Sequence, residues 1–218
     1  RYGTALMYRD WLCEQHGATL PDDHPANYVM FVLASMDDPG CLILPYYRVL
    51  EHIDADALAV AWSPGVTWIG KKTPSPTQVE NQPWRGEGWN EGRGADVVLW
   101  DGRSGKEIPL KFTDRARLAT LEPNECPAWH KLDYAYLHRY LIDKLLTRKL
   151  GAAPIVHYVK SLDDAKQTAR QCDGVALLMN ATPMAHLRAV AEAGGLMPQK
   201  STYFHPKLAT GLTINPLT

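Results

Sequence analysis

Two lysines and two hydroxyls stand together near the end of the chain: Lys200, Ser201, Thr202 and Lys207, with no acidic residue among them. Ammonium and hydroxyl donors gathered in a loop are the material of a cradle for phosphate or carboxylate. Tyr203 and Phe204 could wall such a cradle. The plainer alternative is an arm shaped by Pro198 and Pro206, with solvated lysines and aromatic anchors. A second candidate is catalytic: Asp133 and His138. A carboxylate that orients an imidazole makes it a better general base. Their five-residue separation is not the best pairing distance on an α-helix, and Asp133 could equally cap a helix. Arg48 follows Tyr46 and Tyr47 near the end of an apolar stretch. Its forked guanidinium could hold a phosphate or carboxylate; stacked on a tyrosine, it would be structural.

Several other chemistries find no support. His130, His157, His186 and His205 lack the paired spacing of metal ligands. His24 before Pro25 reads as a loop histidine. There is no Gly-x-x-x-x-Gly-Lys-Ser or Gly-x-x-x-x-Gly-Lys-Thr phosphate loop, no Gly-x-Gly-x-x-Gly and no Gly-x-Ser-x-Gly elbow. Gly86, Gly88, Gly92 and Gly94 are interrupted by Trp and acidic residues. A net charge of -1 lacks the basic excess of a general nucleic-acid binder. Four cysteines, Cys13, Cys41, Cys126 and Cys172, stand far apart; they read as reduced thiols of a cytoplasmic protein. No apolar run approaches a membrane span.

The elements that must position these groups follow from periodicity and turn chemistry. Tyr2 to His16 has helical apolar spacing and a stop at Gly17. Asn27 to Met36 is rich in Val, Phe and Leu and predicts a buried strand; Cys41 to Leu50 returns as a second. Asp37-Asp38-Pro39-Gly40 between them predicts a turn, hence a hairpin. Asp54 to Trp62 reads as a short helix. The stretch 63–94 is crowded with Pro and Gly, carries Trp68, Trp84 and Trp89, and reads as a long loop. Ala95 to Trp100 and Glu107 to Phe112 form a second hairpin around Asp101-Gly102. Tyr134 to Leu150 is an amphipathic helix stopped by Gly151. A strand (Ile155 to Val159), a helix (Leu162 to Cys172), a strand (Val175 to Asn180) and a helix (Met184 to Ala193) follow.

The run Met197-Pro198-Gln199-Lys200-Ser201-Thr202-Tyr203-Phe204-His205-Pro206-Lys207-Leu208, continued by Gly211-Leu212-Thr213-Ile214-Asn215-Pro216-Leu217, resembles a signature of one prokaryotic family. Arg1-Tyr2 with Thr4-Ala5-Leu6, His24-Pro25 with Asn27-Tyr28-Val29, Met36 to Gly40, Leu44-Pro45 with Arg48, and Leu132-Asp133 with Leu137-His138 fit it too. The family is the domain of unknown function numbered one thousand and fifteen, whose members are sometimes labelled ParB-like or RepB-like. The chain departs from it at Tyr47, where the resemblance implies a histidine, and in the Trp-rich segment. The resemblance also implies that Arg1 closes a phosphate-binding Asp-Gly-His-His-Arg turn whose other residues lie upstream. A turn of that kind at a helix start suits an anion.

The sequence thus predicts an α+β fold: a mixed sheet from two β-hairpins plus a carboxy-terminal strand-helix-strand-helix unit. Residues 1–218 read as one domain, with a sub-boundary allowed near 151, forming the carboxy-terminal portion of a longer protein. The resemblance implies a phosphotransferase using ATP or ADP with magnesium on a small polar metabolite, serine first. The alternative is a ParB-like nucleotide or metabolite module that turns nothing over. A small-molecule ligand is expected, homodimerisation is allowed, and nucleic acid and membrane are not expected partners. Asp133 and His138 would be catalytic; Arg1, Arg48, Lys200, Ser201, Thr202 and Lys207 would bind the ligand.

Overall fold

The computed structural model describes residues 2–69, 94–207, 209 and 215. They fall into two compact units, Arg1–Asp38 with Pro206–Thr218, and Pro39–His205. The division lies at Asp38 and Pro206, and none falls near 151.

In the first unit, α1 (Tyr2–His16) runs to Gly17, whose φ of 64° ends it in the left-handed region. A 3-10 turn (Pro25–Asn27) follows, begun by His24, whose Nδ1 accepts the Ala26 N–H at 3.1 Å. The Asn215 side-chain amide donates to the carbonyls of Pro25 and Tyr28, at 3.2 and 3.3 Å. The expected buried strand from Asn27 to Met36 is absent. This stretch makes no ladder, and Val29 to Leu33 are 37% to 92% exposed. An apolar composition favours a strand only where a partner strand and a covering layer are supplied, and among the described residues this stretch pairs with no strand.

The second unit is built on a six-stranded sheet. Its strands are β2 (Tyr47–Leu50), β3 (Val66–Trp68), β4 (Val97–Asp101), β5 (Glu107–Phe112), β6 (Val156–Val159) and β7 (Val175–Met179). They lie in the order β3-β5-β4-β7-β2-β6. Every pairing among them is antiparallel. A separate two-stranded ribbon joins β1 (Leu42–Leu44) to β8 (Tyr203–His205). The fold is α+β, as its sequence implies. The hairpin of β4 and β5 and the run β6, α6 (Leu162–Gln171), β7, α7 (Met184–Glu192) are present. The first expected hairpin is not. Its second strand breaks at Pro45, which offers no N–H to a ladder. The pieces then pair with partners far along the chain, β1 with β8 and β2 with β6 and β7. Part of the expected loop is also a strand, since Val66, Thr67 and Trp68 pair with Phe112, Lys111 and Leu110. Trp84 and Trp89 lie outside the described residues.

The central strands read Val-Val-Leu-Trp and Val-Ala-Leu-Leu-Met because both sheet faces are covered. On one face lies α6, brought close by Ala165 and Ala169, over Val49, Val98, Trp100, Ala176 and Leu178. On the other lie α3 (Ala116–Leu121) and one helical rod: α4 (Asp133–Ala135), a π-helical middle (Tyr136–Leu146) and α5 (Thr147–Leu150). The expected helix is there, but most of it is wound more widely than an α-helix. The Thr147 N–H bonds the Ile142 carbonyl, five residues back. Trp62, at the end of α2 (Ala55–Trp62), donates its Nε1–H to the Leu141 carbonyl at 2.9 Å. Gly151, with φ 77°, stops the rod.

Gly174 lets β7 pass beside β2. A Cβ there would stand 2.0 Å from the Leu50 carbonyl oxygen, a backbone atom with no room to retreat. Gly174→Ala should therefore destabilise by about 3 kcal/mol, the upper part of the usual range for overpacking. Urea denaturation would show it as a lower midpoint, and an unchanged midpoint would mean that the close approach relaxes freely.

Candidate functional site

Strand β2 carries Arg48 on the face covered by the helical rod, and Arg48 is fully buried. Its Nε–H donates to His138 Nε2 at 2.8 Å, Nη1 to the Tyr46 carbonyl at 2.7 Å, and Nη2 to the Lys200 carbonyl at 2.6 Å. The guanidinium carbon lies 4.3 Å from the Tyr134 ring centre and 5.4 Å from that of Tyr158. All three acceptors are neutral. No carboxylate is within ion-pair distance of Arg48 among the described residues. Burial lowers its pKa to about 10, partly opposed by the surrounding tyrosines, so it stays charged at neutral pH.

His138 stands on the π-helical segment with its ring stacked on Tyr158 at 6.0 Å. Burial first, and then the charges of Arg48 and Arg139, lower its pKa to about 4. It is therefore neutral at neutral pH. Because Nε2 accepts from Arg48, the ring proton is assigned to Nδ1. Tyr134, buried beneath Arg48, gives its O–H to the Asn180 carbonyl at 2.8 Å. Burial raises its pKa above the ordinary tyrosine value.

Two exposed lysines complete this region. The Lys200 ammonium lies 5.6 Å from the Tyr46 ring centre, and that of Lys160 lies 5.1 Å from the Tyr203 ring centre. Tyr46 and Tyr203 contact each other at 5.5 Å. Neither lysine is in an ion pair among the described residues. Lys160 was not among the residues singled out by sequence. It lies just past the end of β6, two residues beyond the Tyr158 ring that faces Arg48.

The expected pairing of Asp133 with His138 is corrected. Asp133 Oδ1 is 2.7 Å from Arg115, which also holds Asp96 at 3.2 Å. Burial raises the Asp133 pKa, and the Arg115 guanidinium offsets part of that. The cap is corrected as well: Asp133 is the first residue of α4, and Leu132 holds the cap position. His138 is engaged by Arg48 instead. With its Nε2 already accepting and its pKa near 4, it is a poor general base at neutral pH.

Ser201 is also removed from the cradle. It is buried, its hydroxyl donates to the Pro198 carbonyl at 2.6 Å, and its own carbonyl accepts from Thr182 at 2.8 Å. Those bonds shape the loop that turns through Lys200, whose φ is 55°. Thr202 is half-buried just before β8. Lys207 is exposed in the first unit, and Arg1 lies outside the described residues. No group of three or more His, Cys, Asp or Glu among the described residues could hold a metal ion. No helix among them is long and apolar enough to cross a membrane.

The neutral state of His138 has a measurable consequence. The unfolded chain takes up this proton near pH 6.5, the folded protein only near 4. Between these values the unfolded state binds more protons, so stability falls as pH falls. The loss approaches about 3 kcal/mol by pH 4. His138→Gln keeps an acceptor for Arg48 and cannot titrate, so its urea midpoints should decline less over that interval. Parallel pH profiles would place the acid sensitivity in other groups.

A model of the family described as "Protein of unknown function (DUF1015)" matches residues 1–134. No curated protein matches the chain. Among solved structures, a free serine kinase mutant in complex with ADP is similar, with 12% identity and a TM-score of 0.45 over 79% of this chain and 57% of that one. A conserved hypothetical protein from Pyrococcus furiosus is similar with 11% identity and a TM-score of 0.43, over 79% of this chain and 60% of that one. The chain therefore matches less than two thirds of the length of either structure.

Proposed function

The chain belongs to this family of unknown function, and we propose that its Pro39–His205 unit binds the phosphoryl group of a small polar metabolite at Lys160 and Lys200. The observation that supports this is the convergence of three cations that have no carboxylate partner among the described residues. Arg48 is buried and contributes field and position. Lys160 and Lys200 are exposed and supply the contacts. A buried charge answered only by neutral dipoles leaves a positive potential at the surface above it, and a multiply charged anion completes it.

The activity that fits such a site is phosphoryl transfer between a nucleotide and the metabolite. Catalysis of this class is largely positioning and charge stabilisation, and lysines serve it as point charges. ATP or ADP is the expected nucleotide, and serine the first acceptor to test. The described residues do not form a protein-held magnesium site; the ion would accompany the nucleotide's phosphates, as magnesium usually does.

Calorimetry with inorganic phosphate, phosphoserine, ADP and ATP, the nucleotides with magnesium, tests the reading. Each charge-assisted contact is worth about 1.5–3 kcal/mol. Lys160→Ala and Lys200→Ala should therefore each weaken phosphate binding about tenfold or more, and binding should fall steeply with salt. Unchanged affinity in both variants would reject the site. Nucleotide binding without transfer to serine or another acceptor would favour the ParB-like regulatory alternative over an enzyme.

A further inference from the structure

The six-stranded sheet ends at β6, and among the described residues no strand pairs with its outer side. The Glu51 N–H bonds the Ile155 carbonyl at 3.1 Å, and Leu50 stands opposite Val156. In an antiparallel ladder the bonded pairs alternate. The main-chain groups of His157 and Val159 therefore face β2, and those of Val156 and Tyr158 face outward.

Beside this edge runs α6. Asp164, Gln167, Thr168 and Gln171 recur at the spacing of one helical face. With Tyr158, Val159 and Lys160 they line a groove of about 450 Å³. No side chain of these four helix residues has a hydrogen-bond or ion-pair partner among the described residues; Asp164 is engaged only through its main-chain N–H, by Ser161. Val159 is the one aliphatic residue in the lining, and the Tyr158 ring is already in contact with Arg48 and His138. The groove thus offers two carboxamides, a hydroxyl, a carboxylate and free main-chain groups, but no slot for a flat base or an acyl chain. It shares Tyr158 and Lys160 with the cationic region.

We infer that this groove holds the body of the ligand whose phosphoryl group sits at Lys160, and that the body is uncharged and rich in hydroxyls: the ligand is a sugar or polyol phosphate. The inference rests on the phosphoryl reading of Lys160 and narrows its substrate from small polar metabolites at large to hydroxyl-rich ones, in place of serine. Hydroxyls both donate and accept. Carboxamides and a carboxylate arrayed at helical spacing match several of them at once, and a site built to pair hydroxyls discriminates against ligands that lack them.

The test is calorimetry on the full chain with ribose phosphate, glycerol phosphate, AMP and inorganic phosphate. It is repeated with the double variant Gln167→Ala, Gln171→Ala and with Asp164→Asn. These residues are on a helix surface, and thermal unfolding checks that the variants stay folded. Ribose phosphate should bind at least tenfold tighter than inorganic phosphate, and the variants should bring it down towards the inorganic value. AMP should gain nothing from its base. Equal affinity of ribose phosphate and inorganic phosphate, an unaffected double variant, or AMP binding tighter than ribose phosphate would each overturn the inference while leaving the phosphoryl reading in place. Failure of all four ligands to bind, or binding indifferent to Lys160→Ala, would instead bring down the phosphoryl reading, and this inference with it.

Discussion

A fully buried arginine with no carboxylate beside it among the described residues is the constraint around which the larger unit is arranged. Taking a guanidinium out of water costs several kcal/mol, and the usual remedy is an opposite charge. Arg48 is held by an imidazole, two main-chain carbonyls and the face of Tyr134. Hydrogen bonds from a charged donor are worth about 1.5–3 kcal/mol each, and a desolvated cation over an aromatic ring about 2. Together these are of the same order as the cost, provided that all of them form. The contacts come from Tyr46 just before β2, from the helical rod 90 residues on and from the loop 152 residues on. Arg48 can be satisfied only when those three segments have met, so its burial couples the sheet, the rod and the carboxy-terminal loop into one cooperative arrangement.

That coupling fixes the state of its neighbours. His138 must stay neutral to accept from Arg48, and burial keeps it so. Tyr158 sits against both, and Lys160 follows two residues on, just past the end of β6. The Lys200 carbonyl points down at Arg48 while its ammonium lies over Tyr46. The positive φ of Lys200 and the bonds of Ser201 set this loop conformation. The sequence-adjacent lysine and hydroxyls thus divide the work: Lys200 faces the surface, and Ser201 holds the loop that presents it.

The sequence made the local elements legible and left the long-range ones hidden. Asp54 and Ser161 cap their helices, Gly151 ends the rod, and the hairpin of β4 and β5 turns just beyond Asp101, because each of these is decided by neighbours in the chain. The run from Asn27 to Met36 misled because apolar composition does not reveal whether a covering surface exists. The pairing of β2 between β6 and β7 depends on residues more than 100 positions away, and no local pattern announces it. The site was legible to the same extent. Arg48 and Lys200 stood out by type, whereas their contact, and the attachment of His138 to Arg48 in preference to Asp133, are products of the sheet.

Two arginines of this unit, the half-exposed Arg115 and the buried Arg48, show what the absence of carboxylates achieves. Arg115 sits between Asp96 and Asp133, so its charge is answered twice within the protein and nothing remains to attract a ligand. Its role is to fasten the start of the helical rod beside the start of β4. Arg48 is more deeply buried, yet only neutral groups answer it, and the exposed cations nearest its aromatic shell, Lys160 and Lys200, are unpaired among the described residues. Fastening alone would be served as well by a carboxylate opposite Arg48, or by an apolar side chain of similar volume, which often costs nothing or adds stability. A charge kept without a counter-charge is of use only to something that brings one. The same residue type therefore closes one end of the rod and leaves the region around Arg48 open to an anion.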